Sequence, residues 1–457
     1  MQIKKIKFLI LFIFFSITII LIFNFQNLKI FYNYIITKTY ISPNFYTNKN
    51  KFDYKDKNTK RELAELAYYF TKNEKQITFK EIYDENFLFE NSDEEFNLRK
   101  LKFRPNFFLG EKAYITIDND NLYIINGKGQ IFFSELKNLN SKEVIFKKIE
   151  NNLSNILGID YLLNFKDPIK NILFSYDNLY VSVVSKSDKC FKLEIFKSKL
   201  NYDYLNFSKI FENPNCNSTF NNQAGGVMAQ YKNEKIFVAL GEFGALAEKN
   251  PYDVSQDIKN LKGNIILLDT KNFKYETVSY GHRNPQGIYY DNFNDVLINS
   301  EHGPQGGDEI NLNFSIFNEI ENFGYGQASY GYHYKNKFKK LKKNYEIMPL
   351  KKTHKKHGFK EPIVYFNPSI APTGIALTNK FFNKKNQNVL LLGSLGKNTK
   401  EGDMSLHKIV LDNNFNFIER TFKVLNERIR DLKYIENENI IIMYFETSSS
   451  IGILKKN

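Results

Sequence analysis

From about residue 105 onward, short apolar runs alternate with turns rich in Asn, Asp and Gly, and long helical patterns are scarce. One element recurs six times: a polar residue followed by four or five apolar or β-favouring residues. The elements begin at Asn121, Asn178, Lys235, Asp295, Asn388 and Asn439. Their starts are 57, 57, 60, 93 and 51 residues apart, which leaves room for a four-stranded sheet in each interval. The spacing predicts an all-β fold, a six-bladed β-propeller over residues 105–457 closed by pairing between its ends, and favours it over a pair of β-sandwiches.

The long fourth interval indicates an insertion of about 35 residues, and it contains the lysine-rich stretch Lys335–Lys360. It includes the pair His354-x-x-His357, a spacing that metal sites also use. Neighbouring ammonium groups repel a cation, so a solvated loop is the favoured interpretation.

The N-terminus has the pattern of a membrane anchor. Lys4, Lys5 and Lys7 precede an almost unbroken apolar run over residues 8–25. As a helix this run would be about 27 Å long, close to the thickness of a bilayer core. No small-x-small cleavage site follows, which favours an uncleaved signal anchor over a cleaved signal peptide. We therefore expect residues 1–25 to be a cytoplasmic N-terminus and transmembrane helix, with the propeller on the extracytoplasmic (periplasmic) side.

Residues 26–104 are polar and mixed in pattern, and we expect a membrane-proximal stalk or cap there. Within them, residues 60–75 have the period of one amphipathic helix, with Leu63, Leu66 and Phe70 on one face. The segment offers no candidate chemistry.

Composition and charge limit the classes of partner. The 457 residues are 42% hydrophobic and 25% charged, which is an ordinary globular balance and excludes a disordered or collagen-like chain. The net charge of +14 favours anionic partners. The heavy use of Lys, Asn, Ile, Phe and Tyr, with no Trp, indicates an AT-rich codon bias instead, so we predict no nucleic-acid partner.

The only cysteines are Cys190 and Cys216. In an oxidising compartment they would form one disulfide, and the alternative is two free buried thiols.

Two polar loops flank the fourth recurring element. The first is Gly281–Gly287, with the sequence GHRNPQG, and the second is Glu301–Asn311, with the sequence EHGPQGGDEIN. The first loop offers an Arg for carboxylate binding and two amides, and the second offers a bent backbone followed by two carboxylates. Carbonyls and carboxylates at a Gly/Pro turn are typical Ca²⁺ ligands. These residues predict a site for an anionic, oxygen-rich ligand with a calcium ion, and the alternative is two tight turns that cap strand ends.

In this combination and order, the two loops resemble the signature of the soluble glucose/sorbosone dehydrogenases, which are quinoproteins that use pyrroloquinoline quinone (PQQ). Further matches follow in the family's order at Asn322–Gly326, Ser329–Gly331, Pro368–Gly374 and Arg428–Asp431. The resemblance implies a six-bladed propeller, in agreement with the spacing of the repeats.

The resemblance also implies roles for individual residues. Arg283, Asn284 and Gln286 would line the quinone pocket, with Arg283 near the reacting atoms. Lys397, Arg428 and Arg430 would complete the cofactor-binding set, although Lys397 follows Ser394-Leu395-Gly396 and stands at a shifted position. For calcium, the resemblance implies the carbonyls of Gly303 and Pro304 at the quinone and the carboxylate of Glu309 in a second, structural site. The implied binding-site residues are Arg283, Asn284, Gln286, Lys397, Arg428, Arg430, Gly303, Pro304 and Glu309.

One departure from the family concerns the catalytic base. The family has His in a His-x-x-Gly-Arg segment of the third blade, where this chain has Asn222 at the His place and Gly226 at the Arg place. A shift of one residue would put Gln223 at the His place instead, and neither amide is a base near neutral pH. No His occurs in residues 1–281, so a substitute base would come from another loop. General-base catalysis contributes about 10²–10⁴-fold, and its loss would impair turnover. The candidate substitutes are His302, His333, Glu242 and Asp308.

These features together predict a membrane-anchored PQQ-dependent aldose sugar dehydrogenase that transfers a hydride from an aldose to the quinone. Its activity would be impaired by Asn222, and its electron acceptor is unknown. The alternative is a non-catalytic extracytoplasmic propeller that acts as a binding or scaffold module.

Overall fold

The computed structural model describes residues 74–89, 94–104, 112–164, 167–187, 190–215, 223–244, 254–314, 316, 318–333, 346–382 and 386–457. Within these residues the chain forms 27 β-strands and two short α-helices, α1 (Leu153–Leu157) and α2 (Ile159–Asn164). Short 3₁₀ helices span Leu136–Asn140, Val254–Gln256, Ile258–Asn260, His354–His357 and Thr399–Glu401. The prediction of an all-β fold is confirmed.

Most of the described strands group into antiparallel units in which four successive strands pair side by side. The first unit contains β3 (Ala113–Ile117), β4 (Asn121–Asn126), β5 (Ile131–Glu135) and β6 (Glu143–Asn151). The second contains β7 (Ile169–Ser175), β8 (Asn178–Ser187), β9 (Cys190–Lys199) and β11 (Ser208–Glu212). The third contains β12 (Gly225–Gln230), β13 (Lys235–Leu240), β14 (Ile265–Asp269) and β15 (Tyr275–Tyr280).

The remaining units follow the same pattern. The fourth contains β16 (Pro285–Asp291), β17 (Val296–Glu301), β18 (Asp308–Asn313) and β20 (Val364–Phe366). The fifth contains β21 (Pro372–Leu377), β22 (Gln387–Ser394), β23 (Ser405–Asp412) and β24 (Phe417–Val424). The sixth contains β25 (Ile429–Ile435), β26 (Ile440–Phe445), β27 (Ser450–Lys456) and, from the other end of the chain, β2 (Glu95–Arg104). Two short strands, β10 (Tyr204–Leu205) and β19 (Glu321–Asn322), add parallel pairs to β6 and β15.

The first strands of the units contact one another in a closed ring, in the order β3, β7, β12, β16, β21, β25 and back to β3. Hydrogen bonds from side chains to the backbone connect neighbouring strands of this ring. Thr373 Oγ1 donates to the carbonyl of Ile429 at 2.6 Å, and Asp431 Oδ2 accepts from the backbone N–H of Ile115 at 3.0 Å. The starts of these six strands therefore surround one channel mouth.

The recurring apolar elements of the sequence coincide with the second strands of the six described units: β4, β8, β13, β17, β22 and β26. These strands are covered on both faces, so they show continuous apolar runs rather than alternation, and all six residues of β4 are buried. Asp295 and Asn439 precede their strands with φ of 52° and 50°, a conformation that short polar residues tolerate in turns.

An N-terminal hairpin joins the two ends of the ring. Its strands are β1 (Gln76–Leu88) and β2, and β1 pairs with β6 of the first unit while β2 pairs with β27 of the sixth. The first and sixth units thereby become one continuous sheet. The stretch Gln76–Arg104 lies within the predicted stalk or cap, but it is an integral part of the sheets because its strands supply hydrogen-bonding partners to both ends of the ring.

The hydrophobic core lies between neighbouring units rather than in one central mass. One cluster of buried apolar residues fills each junction between adjacent described units. At the junction of the fifth and sixth units, Phe96 of β2 is fully buried and packs against Phe381 and Phe382. The N-terminal hairpin thus contributes to the core as well as to the sheet.

Several predictions concern segments that the structure describes only in part. The apolar run 8–25 and residues 60–73 of the expected amphipathic helix lie outside the described residues. In the part of the chain that is described, no helix is long and apolar enough to cross a membrane. Cys190 is disulfide-bonded, and Cys216, the other cysteine of the chain, lies outside the described residues.

Candidate active site

The two polar loops of the sequence meet at the channel mouth. The first leads into β16 and the second joins β17 to β18, and these strands are neighbours in one antiparallel sheet. The backbone N–H of His302 donates to the carbonyl of Asn284 at 3.1 Å. The Arg283 guanidinium reaches across and donates through Nη1 to the carbonyls of His302 at 2.9 Å and Gly303 at 2.6 Å.

Arg283 is 6% exposed and is held from several directions. Its Nε donates to Tyr325 Oη at 3.2 Å, and the guanidinium lies 5.8 Å from the centre of the Tyr325 ring. Its backbone N–H donates to Glu301 Oε2 at 2.9 Å, and Glu242 Oε1 lies 3.9 Å from Nε. A buried guanidinium with these partners is a fixed positive charge at the mouth.

Asn284 and Gln286 form a short amide chain beside Arg283. Gln286 Nε2 donates to Asn284 Oδ1 at 3.1 Å, and the same oxygen accepts from the backbone N–H of Gly225 at 3.3 Å. Asn284 therefore links the fourth unit to the start of the third. Asn222, which stands at the family's His place three residues before Gly225, lies outside the described residues.

The turn of the second loop is shaped by close backbone contacts. A Cβ on Gly303 would lie 1.8 Å from the carbonyl oxygen of Gly307, so only glycine fits there. The Asp308 carboxylate accepts from the backbone N–H groups of Gly303 at 2.9 Å, Ile370 at 2.8 Å and Ala371 at 2.7 Å. Burial raises the pKa of Asp308 to about 6 despite these bonds. Asp308 thus fixes the turn to the segment that enters the fifth unit, and as a base it would have to release structural contacts.

The predicted calcium ligands at the turn are carbonyl oxygens that already accept hydrogen bonds from the protein. The carbonyls of Gly303 and Pro304 are hard oxygen donors, but they accept bonds from Arg283 Nη1 and, at 3.3 Å, from Ser369 Oγ. A cation on the Gly303 oxygen would have to share that oxygen with a guanidinium. Within the described residues, no group of three or more His, Cys, Asp or Glu side chains is arranged to hold a metal ion.

Glu309 lies on β18 below the turn and is 5% exposed. Burial, followed by the nearby carboxylate of Glu301, raises its pKa well above the usual range. His354 Nε2 lies 3.4 Å from Glu309 Oε1. A cation beside Glu309 would relieve the repulsion between the Glu309 and Glu301 carboxylates, but in the described part of the chain these groups and His354 are not arranged together as a metal site.

His354 corrects one expectation from the sequence. It lies in the stretch interpreted as a solvated loop, yet it is 1% exposed and its ring stacks on Tyr330 with centroids 5.4 Å apart. His357, at the other end of the same 3₁₀ helix, is exposed. The two histidines therefore do not form a shared metal site, and His354 packs inward because its ring completes a stack with Tyr330.

Arg428 and Arg430 share one carboxylate at the start of β25. Arg430 donates to Glu446 Oε2 through Nε at 2.7 Å and through Nη2, and Arg428 Nε lies 3.4 Å from Glu446 Oε1. Arg430 is 4% exposed; burial opposes its charge, but Glu446 raises its pKa above the ordinary value. Arg428 also donates to the carbonyl of Leu395. Lys397, the remaining member of the predicted cofactor-binding set, is exposed.

The surroundings of His302 indicate that charged residues from different units lie around the same channel mouth. The residue as a whole is partly exposed, and its ring Nε2 lies 2.9 Å from the carbonyl oxygen of Pro372 in the fifth unit. Burial and then the charges of Arg283 and Arg430 lower its pKa to about 3, with a further contribution from Lys112. Residues from the first, fourth and sixth units are thus close enough to act on one imidazole.

Sequence reasoning missed four ionisable residues of the mouth: Lys112, Asp167, Lys170 and Glu446. Lys112 Nζ lies 2.9 Å from Asp167 Oδ2, with side chains 20% and 15% exposed. Burial would raise the pKa of Asp167, but Lys112, Lys170 and Arg430 lower it to about 2. The position of two of them in the sequence could have identified them. Lys112 and Lys170 lie at the starts of the first strands of their units, as Gln286 and Arg430 do.

The structure separates the candidate substitute bases. His333 Nε2 lies 2.8 Å from the carbonyl of Met348. Glu242 is 1% exposed and faces Arg283. Of the four candidates, His302 alone is both at the mouth and partly exposed.

Structural comparison identifies similar proteins with a related fold. The soluble aldose sugar dehydrogenase of Escherichia coli, in its apo form, superposes with a TM-score of 0.58 at 20% identity, over 79% of this chain and 100% of that chain. A glucose dehydrogenase gives a TM-score of 0.58 at 18% identity, over 76% of this chain and 96% of its own. The holo form of the PQQ domain of a Coprinopsis cinerea pyranose dehydrogenase gives 0.52 at 10% identity, over 76% and 93%. At these identities the likeness establishes a shared propeller-like fold.

Sequence comparison adds curated relatives. Aldose sugar dehydrogenase YliI of Escherichia coli is 29% identical over 248 residues, which are 51% of this chain and 60% of that protein. An uncharacterized Synechocystis protein is 26% identical over 168 residues, 37% of this chain and 36% of its own length. The chain therefore spans less than two thirds of the length of either relative.

The profile of the family described as "Glucose / Sorbosone dehydrogenase" matches residues 113–454. That range begins with the first strand of the first unit and ends within β27, so it contains the whole ring of first strands and both loops of the mouth. The chain belongs to the glucose/sorbosone dehydrogenase family.

Proposed function

We propose that this protein is a PQQ-dependent dehydrogenase that oxidises the anomeric carbon of an aldose. The observation that carries the proposal is the meeting of Arg283, the Gly303 turn, His302 and Arg430 at one channel mouth, in a chain of this family. PQQ, when bound, supplies a quinone that accepts the hydride, and the sugar hydroxyl gives up a proton to a base.

The chain's own residues divide into a charged set and an amide set. Arg283, Arg428, Arg430 and, from its exposed position, Lys397 would neutralise the carboxylates and oxygens of the cofactor. Asn284 and Gln286 would orient it, because their amide chain is already tied to the third unit through Gly225. Preorganised groups of this kind lower the cost of ordering a ligand.

We further propose calcium as the metal of the site. The carbonyls of Gly303 and Pro304 would hold one ion, after Arg283 shares the Gly303 oxygen, and the buried carboxylate of Glu309 would help to hold a second. The ion at the turn would polarise the cofactor.

The proton acceptor is the weakest element of the proposed enzyme. An amide such as that of Asn222 does not accept a proton near neutral pH, so turnover would be slower by roughly 10²–10⁴-fold than with a good base. We therefore expect slow oxidation rather than the rate of an enzyme with a histidine base.

For the whole chain, we propose six blades formed by the six described four-stranded units, and a membrane anchor at residues 1–25 that leaves the propeller on the periplasmic side. The closed ring of first strands supports the first proposal, and the basic residues followed by an apolar run support the second. The electron acceptor would be reached from that side.

The test is a titration of the full-length chain with PQQ and Ca²⁺, followed by a panel of aldoses. We expect a visible spectrum of bound quinone at micromolar cofactor, which bleaches slowly when the right aldose is added. Arg430→Met should weaken binding by at least about tenfold, because a buried charged hydrogen-bonding group is lost. The matched control is Arg420→Met on β24, the outer strand of the fifth unit, which should bind like the parent.

A second candidate function is a non-catalytic binding or scaffold module. One observation favours it: Arg283 and Arg430 already have protein partners, namely two carbonyls and the Glu446 carboxylate, so both have a structural use without any cofactor. Absence of binding at micromolar PQQ in the same titration would select this function and overturn the dehydrogenase.

A further inference from the structure

The connection between β19 and β20 carries four exposed lysines, which we name the lysine surface: Lys351, Lys352, Lys355 and Lys356. Among the described residues, no carboxylate lies within salt-bridge distance of any of these four ammonium groups. By contrast, Lys360 at the end of the same connection pairs with Glu321 at 2.8 Å. The described part of the protein therefore leaves the charge of the lysine surface without neutralisation.

The nearest carboxylate in the sequence, Glu361, is used for other contacts. Its Oε2 accepts from the hydroxyl of Tyr330 at 2.9 Å, and its Oε1 accepts from the backbone N–H of Lys355 at 2.8 Å. Neither bond involves a lysine ammonium group. Glu361 thus fixes the backbone of the lysine surface and does not pair with its charges.

Exposed aromatic rings lie beside these charges. The Nζ of Lys352 donates to the carbonyls of Ser329, at 3.1 Å, and Gly331, and it lies 3.8 Å from the centre of the Tyr332 ring. Tyr332 is 56% exposed. Aromatic residues surrounded by charged ones are the usual composition of a protein interface.

The segment 325–332 connects the lysine surface to the channel mouth. On the side of the mouth, the Tyr325 hydroxyl accepts from Arg283 Nε at 3.2 Å. Tyr332 exchanges two backbone hydrogen bonds with Gln305 of the second polar loop, at 2.8 and 3.0 Å. This segment therefore contacts both loops of the mouth.

The same segment contacts the lysine surface through its backbone. The N–H of Lys351 donates to the carbonyl of Gln327 at 2.8 Å, and the carbonyl of Lys351 accepts from the N–H of Ser329 at 3.0 Å. One segment of chain thus separates the lysine surface from Arg283 and the second loop. A partner bound to the lysine surface would lie next to the mouth.

We propose that the lysine surface is the docking site of an acidic redox protein that accepts electrons from the mouth. This partner rests on the proposed function. Oxidation of one aldose to its lactone leaves two electrons and two protons on the cofactor. Two molecules of a one-electron acceptor take one electron each, and the two protons pass to water. Complexes between redox proteins are small and weak, and charge complementarity brings the partners together in the right orientation.

The first test measures docking without PQQ, so that it does not depend on turnover. Full-length protein is titrated by calorimetry with oxidised plastocyanin, an acidic one-electron carrier, at about 20 and about 200 mM salt. We expect binding that weakens by about tenfold or more at the higher salt, because exposed charges are screened. The basic protein cytochrome c should not bind. The triple variant Lys351→Gln, Lys355→Gln and Lys356→Gln should bind plastocyanin about tenfold or more weakly at low salt.

A matched triple variant separates the lysine surface from the net charge of the protein. It changes Lys137, Lys271 and Lys380 to Gln, at side chains that are 79%, 64% and 75% exposed. These lysines lie in turns at the ends of their units away from the mouth. The control variant has the same net charge as the first variant and should bind plastocyanin like the parent protein. Thermal unfolding of both variants shows that each is folded.

Three results would overturn the docking site or its partner. If the folded variant of the lysine surface binds plastocyanin like the parent, the docking site is overturned. Equal weakening in both triple variants would show that net charge alone attracts the probe. Loss of binding to phosphatidylglycerol vesicles, with plastocyanin binding unchanged, would assign the lysine surface to a membrane.

A second measurement links docking to the proposed reaction. Protein loaded with PQQ and Ca²⁺ and supplied with an aldose should bleach the blue colour of plastocyanin, and the variant of the lysine surface should bleach it about tenfold more slowly at low salt. Equal rates for parent and variant would overturn the role of the lysine surface in electron transfer. If the parent binds no PQQ, the dehydrogenase is overturned, whereas the titration without PQQ still decides whether the lysine surface is a docking site.

Discussion

At the residue scale, the mouth depends on a few charges whose pKa values are set by neighbours. Asp167 is the clearest case: burial alone would raise its pKa, yet Lys112, Lys170 and Arg430 lower it from 3.8 to about 2. A carboxyl with a depressed pKa in the folded state contributes stability above its unfolded pKa. That contribution is lost as the pH falls from about 4 to about 2.

We therefore expect Asp167→Asn to lower the free energy of unfolding by roughly 2 kcal/mol at pH 7, because a shift of nearly two pKa units has about that value. Urea unfolding at pH 7, 4 and 2.5 measures the difference from the parent, which should shrink toward pH 2. Asp203→Asn, at an exposed position, is the control and should change little. A penalty for Asp167→Asn that is the same at pH 2.5 and pH 7 would contradict the assigned pKa.

A second residue-scale prediction concerns the space over Gly226. Gly226→Ala places a Cβ against Lys170 and requires positive φ, so it should cost more than Gly158→Ala, which requires positive φ of 80° but meets no atom within 4 Å. We expect the excess to be about 1–3 kcal/mol, the usual cost of overpacking. Chemical denaturation of the two variants measures it. If both variants lost the same free energy of unfolding, the Lys170 side chain would be free to move away from the added Cβ, and its packing against Gly226 would not be tight.

At the element scale, the N-terminal hairpin is the feature on which closure of the ring depends. Phe96 on β2 is fully buried at the junction of the fifth and sixth units, whereas Phe417 on β24 is 48% exposed. Removal of a buried phenylalanine leaves a cavity that costs about 3–5 kcal/mol.

Phe96→Ala should therefore lower the free energy of unfolding by about that amount, and Phe417→Ala by no more than about 0.5 kcal/mol. Thermal and urea unfolding of both variants provide the comparison. If Phe96→Ala were as mild as Phe417→Ala, the hairpin would be an appendage rather than part of the closed ring.

At the scale of the whole molecule, the first strands of the six described units meet at one mouth, so a ligand there is linked to the stability of all of them. We predict that PQQ at about 100 times its dissociation constant raises the free energy of unfolding by about 2.7 kcal/mol. The increase should appear in a single cooperative transition, followed by calorimetry with and without cofactor. Two separate transitions, of which one ignores PQQ, would mean that the units fold independently of the mouth.

The repeat pattern was readable from the sequence because the second strand of each described unit is buried on both faces. The interior of a strand such as β4, where the residues from Leu122 to Ile125 are all buried, has to be apolar regardless of the order in which the sheets are joined. The two loops around β17 were readable for a related reason, since antiparallel neighbours place a preceding loop and a following turn at the same end. Arg283 and Gly303 therefore come together by local topology.

Contacts between residues distant in sequence were decided only by the tertiary structure. The β1–β2 hairpin is polar and irregular in pattern, and its role in joining the ends of the ring depends on partners more than 350 residues away, such as Lys456 opposite Phe96. The pairing of Lys112 with Asp167 and the position of Lys170 over Gly226 likewise join different units. Hydrophobic periodicity specifies which faces are buried, but charge pairs and close packing across units follow from closing the ring, and only the folded chain brings those side chains together.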